Sequence, residues 1–70
     1  MAESNNQAEH VVPHEDGWAV KAEGAEQPTK IYENKQDAID RAKEIAQNKG
    51  TSAIIHTEKG TIQNQYNYSS

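Results

Sequence analysis

Three histidines are the residues whose chemistry is easiest to name. His10, His14 and His56 could each ligate a transition metal through a neutral ring nitrogen. His10 and His14 stand four positions apart, a spacing that shares one face of a helix. Pro13 and the Asp16-Gly17 pair argue instead for extended chain and a turn. On an extended chain the two rings are about 13 Å apart. That is too far for one ion unless the turn folds back and brings in Glu15 or Asp16. The expectation is exposed polar residues at a strand end and no metal site.

The carboxylates read the same way. Glu15, Asp16 and Glu58 fall in turns, and Asp40 and Glu44 fall on the outer face of a helix. General acid–base work needs a pair held in a cleft that drives the two groups apart. A small domain with one helix offers no obvious cleft, so these groups are expected to be solvated. Cysteine is absent, and the serines cluster at the tails apart from Ser52. No Gly-x-Ser-x-Gly elbow occurs. The four glycines are isolated turn residues rather than a phosphate loop. No catalytic residue and no cofactor is expected.

The elements behind these residues are legible from periodicity. Residues 1–9 read as a flexible lead-in, 10–68 as one domain and 69–70 as a tail. Val11-Val12 stops at Pro13, which lacks an N–H for a ladder, so a short or edge strand is expected. His14 to Gly17 is a turn. Trp18, Val20 and Ala22 then alternate with Ala19, Lys21 and Glu23, the period of a strand. A turn over 24–28 leads to a brief third strand at 30–33.

Asn34 suits an N-cap, and Asp37 puts negative charge in the first helical turn. Ala38, Ile39, Ala42, Ile45 and Ala46 form one apolar stripe at helical spacing. Gln36, Asp40, Arg41, Lys43, Glu44 and Gln47 cover the outside, with Asp37 and Arg41 as an i,i+4 pair. Gly50 supplies the left-handed stop. The helix is expected over 35–48. Residues 53–57 read as a fourth strand, with Glu58-Lys59-Gly60 as a tight link. The fifth strand runs over 61–68. On it Ile62, Asn64, Tyr66 and Tyr68 alternate with Thr61, Gln63, Gln65 and Asn67, a set with no apolar member that should face water.

The fold class that follows is α+β: a single mostly antiparallel five-stranded sheet, in the order βββαββ, with one helix packed on one face. The expected core is Trp18, Val20, Ile31, Ile39, Ala42, Ile45, Ile62 and Tyr66, plus one of Ile54 and Ile55. Only 33% of the 70 residues are hydrophobic and none is Phe, so that core is small. Without cysteine there is no disulfide or thiolate-metal staple, which fits a reducing cytoplasm. No stretch approaches the ~20 apolar residues of a membrane span, and the polar start resembles no secretory signal. Eleven acidic against seven basic residues, a formal charge of −4, disfavours nucleic-acid and anionic-membrane partners.

Taken in order, Val11-Val12-Pro13, Gly17-Trp18-Ala19-Val20-Lys21, Gly24-Ala25, Asp37-Ala38-Ile39 through Ala42, Ile45 and Ala46, Ile54-Ile55-His56 and Gly60-Thr61-Ile62 form a pattern over roughly residues 10–66. It resembles the small bacterial proteins grouped as a domain of unknown function, the two-one-eight-eight family. The resemblance implies a small bacterial cytoplasmic α+β domain. It implies no activity, cofactor, partner or catalytic residue.

What remains is the sheet face turned away from the helix. By phase it should hold Ala19, Lys21, Glu23, Thr61, Gln63, Gln65 and Asn67, with His56 or Thr57. Lys21, His56, Gln63 and Gln65 are its leading contact residues. The expected role is a non-enzymatic interaction or structural module that binds another protein, or itself, through this face or a strand edge. The alternative is single-stranded nucleic-acid binding by stacking on the sheet. Tyr66 and Tyr68 have the wrong phase for it, and Lys21 is the clear cation there.

Overall fold

The computed structural model describes residues 7–68. The expectations for residues 1–6 and for the 69–70 tail lie outside the described residues. Five strands and one helix follow in the order β1 (Glu9–His14), β2 (Gly17–Ala22), β3 (Lys30–Tyr32), α1 (Lys35–Lys49), β4 (Ser52–His56) and β5 (Ile62–Asn67). This is the βββαββ order. β1 begins within the stretch read as lead-in. The strands form one open mixed sheet in the spatial order β3-β2-β1-β4-β5. Every pairing is antiparallel except β1 with β4. No helix among the described residues is long and apolar enough to cross a membrane.

The parallel pair explains one departure from the sequence reading. β1 is not a sheet edge but the middle strand. Pro13 is tolerated there because β4 pairs with β1 only over Glu9, His10 and Val11. Beyond Val11 the proline has β2 on one side and no ladder on the other, so it sits locally on an edge.

The helix packs by its smallest residues. Ala38, Ala42 and Ala46, spaced i, i+4 and i+8, are fully buried. Three methyl groups in a row let the helix backbone approach the sheet closely. Ile39 and Ile45 flank the row and are partly buried against the same cluster. Opposite them lie Val11, Val20, Ala53 and Ile55. Ile55 is thus the core member of the Ile54-Ile55 pair. Gly50 ends the helix at φ 71°, its N–H directed at the Ala46 and Gln47 carbonyls. Asn34 occupies the N-cap position but makes no side-chain cap; its amide donates to Asp37 at 3.5 Å. Arg41 pairs with Glu44 at 2.9 Å rather than with Asp37, because both i+3 and i+4 neighbours are within reach on a helix surface.

Two residues expected in the core lie on the other side of the sheet. Ile31 pairs with Ala19, while Tyr32 pairs with Trp18. Tyr32, not Ile31, therefore faces the helix. In β5 the register slips. Ile55 is opposite Asn64, but His56 is opposite Ile62, leaving Gln63 as the extra residue of a bulge. A bulge reverses the alternation on one side of it. Asn64 and Tyr66 keep the helix-side phase. Ile62 is turned to the far side, where it is 61% exposed. Gln63 is turned to the helix side, where its carbonyl accepts from Lys35 Nζ.

The bulge can be tested directly. Ile62→Thr should leave stability within about 0.5 kcal/mol of the parent, a shift of about 2–4 °C in the melting midpoint. An Ile62 packed beneath the helix would lose about 1.5–3 kcal/mol. Thermal unfolding followed by circular dichroism distinguishes the two.

Candidate functional site

The sheet face opposite the helix is built by alternation. Val11 and Val20 point to the helix, so their neighbours His10, Val12, Ala19 and Lys21 point away. Ile31 joins them from β3, Ile54 and His56 from β4, and Ile62, Gln65 and Asn67 from β5. Of the predicted contact residues, Lys21, His56 and Gln65 share this face. Gln63 does not, because of the bulge. Ala19 lies here too, but it is 2% exposed, flanked by its register partners Val12 and Ile31.

The face is more apolar than the pattern of β5 alone suggests. Val12, Ile31 and Ile54 are partly buried and Ile62 is exposed. The sequence reading missed them for separate reasons. Ile31 is in a three-residue strand, too short for a period. Ile54 and Ile55 are adjacent, and either could face in. Ile62 is displaced by the bulge.

At the centre of the face two histidines meet. His10 Nδ1 and His56 Nε2 are 2.9 Å apart, with ring centroids 5.1 Å apart and planes inclined at 28°. The outer nitrogens are engaged as well. His10 Nε2 reaches Glu23 Oε1 at 3.2 Å, and His56 Nδ1 reaches the Gly60 carbonyl at 3.1 Å. Local structure sets both contacts. Glu23 stands just past β2, held by its N–H to the Ala8 carbonyl at 2.8 Å. The β4–β5 link is closed by Thr57 N–H to the Thr61 carbonyl at 2.7 Å and by Gly60 N–H to the Thr57 carbonyl at 3.0 Å. This closure turns the Gly60 carbonyl back toward His56. A shallow depression of about 250 Å³ opens beside the rings, lined by Val12, Lys21, Ala22 and Gly24 as well.

His14 does not join the pair. Its Nδ1 accepts the Asp16 N–H at 3.1 Å, as part of the turn before β2. Sequence spacing suggested His10 with His14, whereas the fold unites His10 with His56, 46 positions away. Only the adjacency of β1 and β4 could have revealed this.

The aromatic rings are placed elsewhere. Trp18, Tyr32, Tyr66 and Tyr68 pack against the core on the helix side. Lys35 lies 4.5 Å over Trp18, Lys43 4.6 Å over Tyr66 and Lys30 5.4 Å over Tyr32. Trp18, Tyr32 and Tyr66 thus each have a cation on the π-face. Among the described residues the open face carries no Trp, Tyr or Phe.

β5 closes one side of the sheet. All its residues but Tyr66 are exposed, and its sequence, Ile62-Gln63-Asn64-Gln65-Tyr66-Asn67, holds no charge and no proline. Natural edge strands are commonly blunted by such residues. This one is not.

Residues 9–68 match the model of a family described as uncharacterized protein conserved in bacteria (DUF2188). Over 58 residues the chain is 55% identical to the uncharacterized protein YdaT of Bacillus subtilis (strain 168). The match covers 83% of this chain and 39% of the relative, so the chain spans well under half the length of the curated relative it matches. No solved structure matches the chain.

Proposed function

This chain belongs to the DUF2188 family of uncharacterised proteins conserved in bacteria, and on that premise we propose that it is a non-enzymatic protein-interaction module. Its partner is a second copy of itself, docked along β5 and over the adjoining apolar residues of the open face. The observation that carries this reading is the unguarded edge: a six-residue strand without charge or proline, which carries Ile62 and pairs with β4 at Ile54. An edge strand offers unpaired N–H and C=O groups to an incoming strand.

A second copy suits this edge for two reasons. Antiparallel pairing of β5 with itself is self-complementary about a two-fold axis. The chain carries a formal charge of −4, but no residue of β5 is charged, so pairing sets no charged residue of one β5 against the other. Ile62 would lose water on pairing. The carboxylates named as acid–base candidates support a non-catalytic reading. On the outer helix face, Asp40 accepts from Gln36 at 2.9 Å and Glu44 from Arg41 at 2.9 Å. The cysteine-free composition supports a cytoplasmic setting.

Light scattering coupled to size-exclusion chromatography, over a dilution series, is the test. The mass should rise from 7.8 kDa toward twice that value as the chain reaches high-micromolar concentration. Ile62→Lys should hold it at the monomer mass while leaving the circular dichroism spectrum unchanged. A parent chain that stays monomeric throughout rejects self-docking.

A further inference from the structure

The contacts of His10 and His56 fix how many protons the two rings hold. The Glu23 carboxylate and the Gly60 carbonyl are acceptors only. His10 therefore gives its Nε2–H to Glu23 at 3.2 Å, and His56 gives its Nδ1–H to Gly60 at 3.1 Å. The inner nitrogens, His10 Nδ1 and His56 Nε2, are 2.9 Å apart, within hydrogen-bond distance. One of them donates and the other accepts. The three contacts together use three N–H groups. Two neutral imidazoles supply two, so the arrangement closes with one added proton, shared as N–H···N. Loss of that proton keeps the inner hydrogen bond and frees only Glu23, whose side chain is 62% exposed.

A second added proton has no place in this arrangement. Both inner nitrogens would then carry hydrogen and point it at each other across 2.9 Å. Two cationic rings would stand with centroids 5.1 Å apart and repel. The surrounding charges offset this only in part. From β2, Glu23 attracts and Lys21 repels, and both line the depression beside the rings. The β4–β5 link presents the Gly60 carbonyl. β5 presents Ile62, the register partner of His56, and holds no charged residue. α1 packs on the opposite face of the sheet.

The repulsion falls at a junction. The parallel β1–β4 pairing is where β3-β2-β1 joins β4-β5, and its ladder ends at Val11 and Ile55. His10 is in register with Ile54, while His56 stands one residue past Ile55. Their contact is a diagonal tie across the open face, just beyond the end of the ladder. We infer that His10 and His56 form an acid-released clasp on this junction. It is closed while the pair carries at most one added proton, and it opens when each ring carries its own. Histidine is the side chain whose charge ordinarily changes between about pH 5 and 8, which makes the clasp responsive near neutrality. The device rests on neither the β5 edge nor a second copy.

The test is NMR on the untagged full chain, taken from about pH 8 to about pH 5. Ring nitrogen shifts count the protons, and cross-ring NOEs report the contact. NOEs between the His10 and His56 rings should be present at the upper end. They should be lost once both rings are charged, and return when the pH is restored. NOEs between Val11 and Ile55, inside the ladder, should persist throughout, which marks the opening as local. H14Q should leave the response unchanged. The inference is overturned by cross-ring NOEs that persist with both rings charged, or by a pair that still holds one added proton at the acid end. It is equally overturned by a contact absent at the upper end, or by loss of the Val11–Ile55 NOEs together with the ring contact, which is unfolding.

Discussion

Gly17→Ala should be among the most damaging single-methyl changes in this chain. Gly17 opens β2 at φ 138°, a region that side-chain-bearing residues rarely adopt. Strain of this kind costs on the order of 1–3 kcal/mol. Space adds a second penalty. A Cβ here would overlap the Tyr32 carbonyl oxygen and stand 3.0 Å from Glu33 Cα. Both obstacles are backbone, so no side chain can rotate away, and overpacking of this sort costs about 1–3 kcal/mol more. The total of about 3 kcal/mol or more should lower the melting midpoint by about 12–24 °C. Gly60→Ala is the matched control. Gly60 also has positive φ, at 93°, but a Cβ there meets nothing within 4 Å. It should lose the strain alone. Equal losses at the two sites would show that the approach of β3 to the start of β2 is not rigid.

The contrast between these glycines marks the limit of what the chain spells out locally. Gly50 and Gly60 could be placed from sequence because each ends a periodic segment. Gly17 could be placed in a turn, but its conflict with Tyr32 belongs to a strand many residues away. The helix was legible for the same local reason: Ala38, Ala42 and Ala46 recur at helical spacing and Gly50 stops them. The strands were legible as elements and not as neighbours. Periodicity carries no strand order, so the parallel contact of β1 with β4 was hidden, and with it the meeting of His10 and His56. The bulge left no mark at all. Ile62, Asn64, Tyr66 and Tyr68 keep an unbroken alternation, and no glycine flags the extra residue. The phase of Gln63 and Ile62 is decided by pairing with β4, not by their own types.

Glu9 is the extreme case of a residue whose role is set by distant structure. By type it belongs to a polar lead-in. In the fold it is 1% exposed, on the helix side of β1 between its register partners Ala22 and Ala53. Its Oε2 accepts from Lys49 Nζ at 2.8 Å, in the last turn of α1. Its Oε1 has no hydrogen-bond partner. The two halves of this ion pair should respond unequally. Lys49→Ala strands a buried carboxylate, a class of change that costs about 3–5 kcal/mol in a closed interior. Lys49 is 37% exposed, so water can enter in its place and the expected loss is nearer 2–3 kcal/mol. Glu9→Leu removes the buried charge, and the lysine left behind can extend into solvent. That change should be neutral or mildly stabilising, as replacement of buried ionic groups often is. The double variant then decides the matter. Glu9→Leu with Lys49→Ala should melt well above Lys49→Ala alone, because Glu9→Leu removes the carboxylate that Lys49→Ala stranded. If both single variants fall equally and the double variant falls by their sum, the pair contributes no coupling, and Glu9 is held by packing of its methylenes rather than by its cation.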